Sequence, residues 1–286
     1  AAVAGENPKE KRMKAVIKEI TGRYVIPVMD VALEKVEFTG DLVEEEIGET
    51  VSRRNEVGTG LTQVQGRWQR VLFVRVSNET TTESNGDRNT AFYVFPGISY
   101  QTLPSYIIGG KPRPYRLYFE LRGSPTTLGS DVSFLQFRFQ GERVFNFAER
   151  WHLDLRSEIG VTRIESEKGQ DEQILELPAS QRFFAGGDRS VRGFDLNELS
   201  PDDEGGKHLA TGTIEVTRDL PRNFGIAAFY DIGNAFNDFK EPGFEYSVGL
   251  GVRYNIAVAS FGVDVAQPLS ESGRSPKVHL YISTQF

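Results

Sequence analysis

Tyr246–Tyr254 reads YSVGLGVRY, and its side chains sort with a period of two: Tyr246, Val248, Leu250, Val252 and Tyr254 against Ser247, Gly249, Gly251 and Arg253. Successive Cβ atoms of an extended chain point to opposite faces, so this is a strand with one apolar and one polar side. The next segment repeats it, with Ala259, Phe261, Val263 and Val265 opposite Ser260, Gly262, Asp264 and Ala266. So does the last, where Val278, Leu280, Ile282 and Phe286 oppose Lys277, His279, Tyr281, Ser283 and Gln285. Upstream, Trp151, Leu153, Leu155, Ile159 and Val161 alternate with His152, Asp154, Arg156, Glu158 and Thr162. Leu135, Phe137 and Phe139 alternate with Gln136, Arg138 and Gln140, and Tyr115, Leu117, Phe119 and Leu121 with Arg116, Tyr118, Glu120 and Arg122.

Two all-β architectures give this pattern: a soluble antiparallel sheet with its apolar side on a core, or a transmembrane antiparallel β-barrel with its apolar side on lipid and a polar lumen. Three features favour the barrel. The strands match the roughly 9–11 residues of a tilted bilayer span. Aromatic residues such as Tyr246, Tyr254, Trp151 and Phe286 end the apolar faces, as in interfacial girdles. Short connectors alternate with long polar ones. A hydrophobic fraction of 38% also suits a wet lumen.

The alternation test counts about 14 segments over residues 1–286. The stretch from Arg12 to Val64 is the least regular. KRMKAVIKEI (11–20) and GRYVIPVMD (22–30) read as two strands and Val36–Glu46 as a third, with Glu44–Glu46 and Arg53–Arg54 interrupting the apolar face. Trp68–Val76 and the set Phe92, Val94, Ile98 and Tyr100 are clearer.

Composition removes several function classes. The formal charge of -7, from 33 Lys+Arg and 40 Asp+Glu, is opposite to the basic stripe that a nucleic-acid binder needs. With no Cys there is no disulfide, thiolate metal site or thiol catalysis. His152, His208 and His279 lie far apart and lack metal-ligand spacing, so no metal or other cofactor is expected. The chain opens on AAVAGENPKEKR, which has neither the basic nor the apolar region of a signal peptide.

One segment escapes the alternation. QRFFAGGDRSVRGFDLNEL (181–199) sits in a connector of about 45 residues, far beyond the needs of a hairpin. Phe183, Phe184, Val191, Phe194 and Leu196 offer apolar anchors, and Gly186, Gly187 and Gly193 allow positive φ or close backbone approach. An outward-facing loop is the ordinary alternative. A serine-hydrolase reading of Ser190 fails because the G-x-S-x-G spacing is absent.

RFFAGGDRSVRGF resembles the signature of the BamA/TamA superfamily of outer-membrane protein assembly factors, in the form most like its translocation and assembly module branch. The likeness is strong from about Thr90 to Phe286 and looser before it. It implies that the loop, 165–209, folds into the lumen and that Arg192, Gly193 and Phe194 lock it there, with Phe183, Phe184, Gly186, Gly187 and Asp188 as its anchor. TGTIEVTRDLP (211–221) resembles the strand that follows, assigning Glu215 to Arg192. AAFYDIGNAF (227–236) resembles the next one, assigning Phe229, Asp231 and Gly233. The strand phase independently puts Glu215 and Asp231 on the lumenal side.

The resemblance further implies an integral outer-membrane protein of 16 strands preceded by periplasmic domains. Since residues 11–30 resemble the third and fourth strands of that family, the chain is expected to be part of a longer protein. The implied activity is insertion, assembly or translocation of outer-membrane or autotransporter clients through a seam between first and last strands, without covalent chemistry. Implied partners are the lipid bilayer, unfolded clients and a periplasm-spanning inner-membrane protein. The closing strand, with Val278, Leu280, Ile282 and Phe286 on its apolar face, resembles the C-terminal signal of barrel proteins. Rival readings are a two-partner secretion transporter, which shares the Arg-Gly-Phe/Tyr loop, and a passive pore.

Overall fold

The computed structural model describes residues 17–28, 34–47, 50–82, 86–103, 115–165, 177–256, 259–270 and 273–284. In them thirteen strands form a single antiparallel sheet in chain order. They are β1 (Ile17–Pro27), β2 (Lys35–Ile47), β3 (Thr50–Gln65), β4 (Trp68–Thr82), β5 (Arg88–Thr102), β6 (Tyr115–Ser124) and β7 (Ser133–Ala148). After them come β8 (Trp151–Glu165), β9 (His208–Asp219), β10 (Phe224–Phe236), β11 (Glu245–Asn255), β12 (Ala259–Pro268) and β13 (Lys277–Thr284). Among the described residues every strand pairs only with its sequence neighbours, which puts β1 and β13 at the two edges of the described sheet.

The apolar and polar sides are inverted relative to a water-soluble sheet. Leu250 is 69% exposed and Leu280 75%, whereas Ser247, Gln136, Glu79, Asp231 and Asp264 are buried. A chain in water would expose the second set and hide the first; a barrel in lipid does the reverse. The alternation read from YSVGLGVRY thus describes a wall whose greasy side is the outside.

One expectation about the first strands needs correction. The segments 11–20 and 22–30 are not two strands: β1 runs unbroken from Ile17 to Pro27 through Thr21 and Gly22. Gly22 pairs with Gly40 of β2, so the ladder continues although neither residue contributes a side chain. This leaves thirteen strands among the described residues where the alternation suggested about 14; residues 1–16 lie outside them. Arg53 and Arg54, read as interrupting the apolar face, lie within β3. β3 is 16 residues long, more than the roughly 9–11 that cross a bilayer, and these two arginines pair across the strand with Glu44 and Glu45.

The interior holds two apolar clusters. Ala91, Tyr93 and Phe95 of β5 pack with Phe134, Ile164 and Leu177, the Tyr93 and Phe95 rings stacked at 5.5 Å. The other cluster is built mainly from the connector between β8 and β9.

Candidate functional site

The described part of that connector, Leu177–Lys207, turns back against the inner face of the sheet. Two antiparallel bridges, Phe183 to Gly206 and Ala185 to Leu199, give it a hairpin-like base. Gly186 and Gly187 follow with φ of +99° and +96°, a region that L side chains avoid. A Cβ at Gly186 would also collide with the Asp195 carbonyl oxygen. The Phe183 ring fills a notch that Gly160 of β8 leaves open, and Phe184, half-buried, lies over Gly205. Val191 and Phe194 are fully enclosed, packed with Phe183, Ala185, Leu199, Leu209 and Ala235. At Gly193 the backbone approaches so closely that an added Cβ would sit 2.8 Å from the Ser247 Cβ and 3.1 Å from the Pro268 Cα.

Two expected anchors do not anchor. Leu196 is 65% exposed. Asp188 is exposed too, in the turn beyond Gly187. Phe183 and Phe194 are buried, and Gly186 and Gly187 form the turn that follows the bridge at Ala185.

Arg192 ends up only 2% exposed, at the centre of a charge cluster. Its Nε donates to Asp231 Oδ2 at 2.9 Å and its Nη2 to Asp231 Oδ1 at 3.0 Å, a bidentate pair, while its backbone N–H donates to the same carboxylate at 3.1 Å. Nη1 donates to Glu215 Oε2 and to Asp264 Oδ2, both at 2.8 Å. The guanidinium carbon stands 3.2 Å above the centre of the Phe229 ring, so a cation lies on a π face while its edge meets carboxylates.

The strands explain why these groups converge. Phe229 is in register with Glu215 on β9 and with Gly249 on β11, whose missing side chain makes room for the ring. Asp231 lies between Thr213 and Ser247, and both hydroxyls donate to it, at 2.9 and 3.4 Å. Gly233, expected with this group, serves a different end: a Cβ there would be 2.8 Å from the Ala210 carbonyl oxygen, so it permits close contact of β10 with β9.

Three cluster members were not singled out from the sequence: Arg253, Asp264 and, at the margin, Arg156. Arg253 bonds Glu215 Oε1 at 2.8 Å and pairs with Asp264. Arg156 Nη2 lies 3.6 Å from Glu215. Three guanidiniums therefore meet three carboxylates, which offsets the several kcal/mol per ion that burial would otherwise cost. Burial by itself lowers the pKa of Arg192, but the hydrogen bond and charge of Asp231, with the charge of Glu215, outweigh it and hold it above the usual arginine value. The signal for Arg253 and Asp264 was present: both charges fall on the inward phase of adjacent strands, and Gly251, opposite Asp264, leaves the space that their ion pair occupies.

A second attachment lies across the interior. Glu79 of β4, 2% exposed, accepts from Ser52 Oγ at 2.8 Å, Ser180 Oγ at 2.6 Å and Ser180 N at 3.1 Å. Gln136 of β7 donates to the Gln181 carbonyl at 2.8 Å. The connector thus touches β4, β7 and β10 through polar contacts. At the sheet edge, Val278, Leu280 and Ile282 of β13 point outward, while Phe286 lies outside the described residues.

Comparison with known proteins agrees with this architecture. Residues 38–286 match the Omp85 superfamily domain. A stretch of 177 residues, 58% of the chain, is 25% identical to the outer membrane protein assembly factor BamA of Nitratidesulfovibrio vulgaris, of whose length it covers 21%. Among solved structures the fold is similar to BamA from Haemophilus ducreyi lacking POTRA domains 1-3, with a TM-score of 0.75 at 12% identity over 94% of this chain and 62% of that one. CdiB from Acinetobacter baumannii gives 0.58 at 13% identity, over 94% and 50%. The chain belongs to the Omp85 superfamily and is an integral outer-membrane β-barrel protein.

Proposed function

We propose that this barrel assists the insertion, assembly or translocation of other outer-membrane or autotransporter proteins, in the manner of the translocation and assembly module branch. The observation that carries the reading is the connector fastened inside the barrel by a buried, charge-balanced cluster behind the edge strand β13. A passive pore works best with a clear lumen. Here a segment lies against the inner face, held through five hydrogen bonds from one residue.

Chemistry at the edge supplies the drive. On its side away from β12, β13 has no partner strand among the described residues. Unpaired N–H and C=O groups in lipid each cost several kcal/mol, and an incoming client strand relieves that cost by β-augmentation. The role calls for no cofactor and no covalent step. Its partners are the bilayer, unfolded β-rich clients and a periplasm-spanning inner-membrane protein. Two-partner secretion is the second reading, favoured by the CdiB-like fold; there the connector would have to yield to a passing chain.

The test is reconstitution of the full-length protein in liposomes with a urea-unfolded barrel client, folding being read by the client's heat-modifiable gel mobility. Faster folding than in empty liposomes is expected, together with a disulfide between a Cys placed in 277–284 and one in the client's edge strand. These 286 residues bring no Cys of their own into that cross-link. Unaccelerated folding with a large steady conductance would replace the assembly reading by the pore.

A further inference from the structure

Among the described residues β13 is bonded to one strand, β12, over eight register pairs. An edge strand with a single neighbour is the natural place for local opening. Yet the three inward residues Lys277, His279 and Tyr281, spaced by two, all reach the connector or the charge cluster. Lys277 Nζ is 2.6 Å from Asp195 Oδ2. His279 Nε2 donates to the backbone carbonyl of Arg192 at 2.5 Å. The Tyr281 ring sits in space left by Gly262, with the Arg253 guanidinium carbon 5.0 Å from its centre. Just before the strand, Arg274 pairs with Glu198 and lies 4.8 Å over the Phe194 ring. His279 is also the register partner of Asp264, which bonds Arg192 from the other direction.

We infer that Lys277, His279 and Tyr281 are positioning residues that clip the edge strand to the connector, so that β13 and the Arg192 cluster hold or release together. The clip holds β13 from its inward face, beside the ladder that it makes with β12. Each exposed ion pair alone contributes little. Here they converge on one segment already immobilised by buried bonds, so little further ordering entropy is lost when they form. Taken with the proposed function, on which this consequence rests, a client would meet an edge of fixed register while the clip is closed. Freeing β13 would require loosening the connector.

The experiment is amide hydrogen exchange with mass spectrometry on the full-length protein in lipid nanodiscs, without client. Asp195→Ala with Glu198→Ala, both on the connector and neither in the buried cluster, is expected to speed exchange in 277–284 several-fold while β3–β5 stay unchanged. Lys277→Ala with Arg274→Ala should do the same. Because both pairs break the same two ion pairs, Lys277–Asp195 and Arg274–Glu198, all four substitutions together should add little to either pair. Unaltered exchange of β13 in the connector-side variant, or fully additive effects, would overturn the clip. Client folding is measured separately, so an intact clip beside an inactive barrel would count against the assembly reading alone.

Discussion

Arg192 and Asp231 meet through three hydrogen bonds, one of them from the backbone N–H of Arg192, so the carboxylate holds the path of the connector as well as the side chain. Replacing the arginine therefore removes a cation from among three carboxylates and detaches the segment that carried it.

Arg192→Ala is expected to destabilise the folded barrel by about 3–5 kcal/mol, the range for stranding buried charges. Arg192→Lys keeps the charge but cannot form the bidentate pair or lie flat on Phe229, and should fall between. Thermal unfolding followed by gel mobility ranks the three. Ser190→Ala removes one bond to the Gly186 N–H and should cost about 1 kcal/mol or less. Equal loss in Ser190→Ala and Arg192→Ala would show that Arg192 has no special place.

Asp264 and Arg253 should be energetically coupled. A double-mutant cycle with Asp264→Asn and Arg253→Met is expected to give an interaction of about 0.5–3 kcal/mol, as for residues within one network. Additivity would separate this pair from the cluster.

Gly193→Val tests the close approach of the connector to the wall. Its side chain would need room now taken by Ser247 and Pro268, so a loss of about 1–3 kcal/mol is expected. At Gly40, where nothing lies within 4 Å of an added Cβ, alanine should change stability by no more than about 0.5 kcal/mol. Both are read from the same melting curves.

Glu79→Ala strips the acceptor from Ser52 and Ser180 on the far side of the interior. Limited trypsin digestion should then cut after Arg182, which the wild type keeps buried, at a higher rate, with the barrel still folded. An unchanged rate would mean that the Glu79 contacts do not help to seat the connector.

The sequence by itself determined the wall and its inversion. Apolar and polar residues recur every two positions along strands such as Tyr246–Tyr254, and that period alone places Glu215, Asp231, Arg253 and Asp264 on one side of the sheet. It also marked RFFAGGDRSVRGF as a segment outside the pattern. It misjudged Leu196 and Asp188, because apolarity and charge within a loop do not say which side the loop turns inward. It divided β1 at Gly22, because a glycine pair leaves no side-chain signal although the backbone ladder is intact.

Tertiary structure decided which of the many inward charges meet. Strand register sets Asp264 opposite His279 and Phe229 between Glu215 and Gly249. Only the folding of a segment distant in sequence brings Arg192 down onto all of them. Periodicity is a property of one strand, whereas a charge cluster is a property of five strands and a connector, and the bonded pair Arg192 and Asp264 alone lies 72 positions apart. That is why the lumenal face was legible residue by residue, and why the clip from β13 to Asp195 and Arg192 appears only in three dimensions.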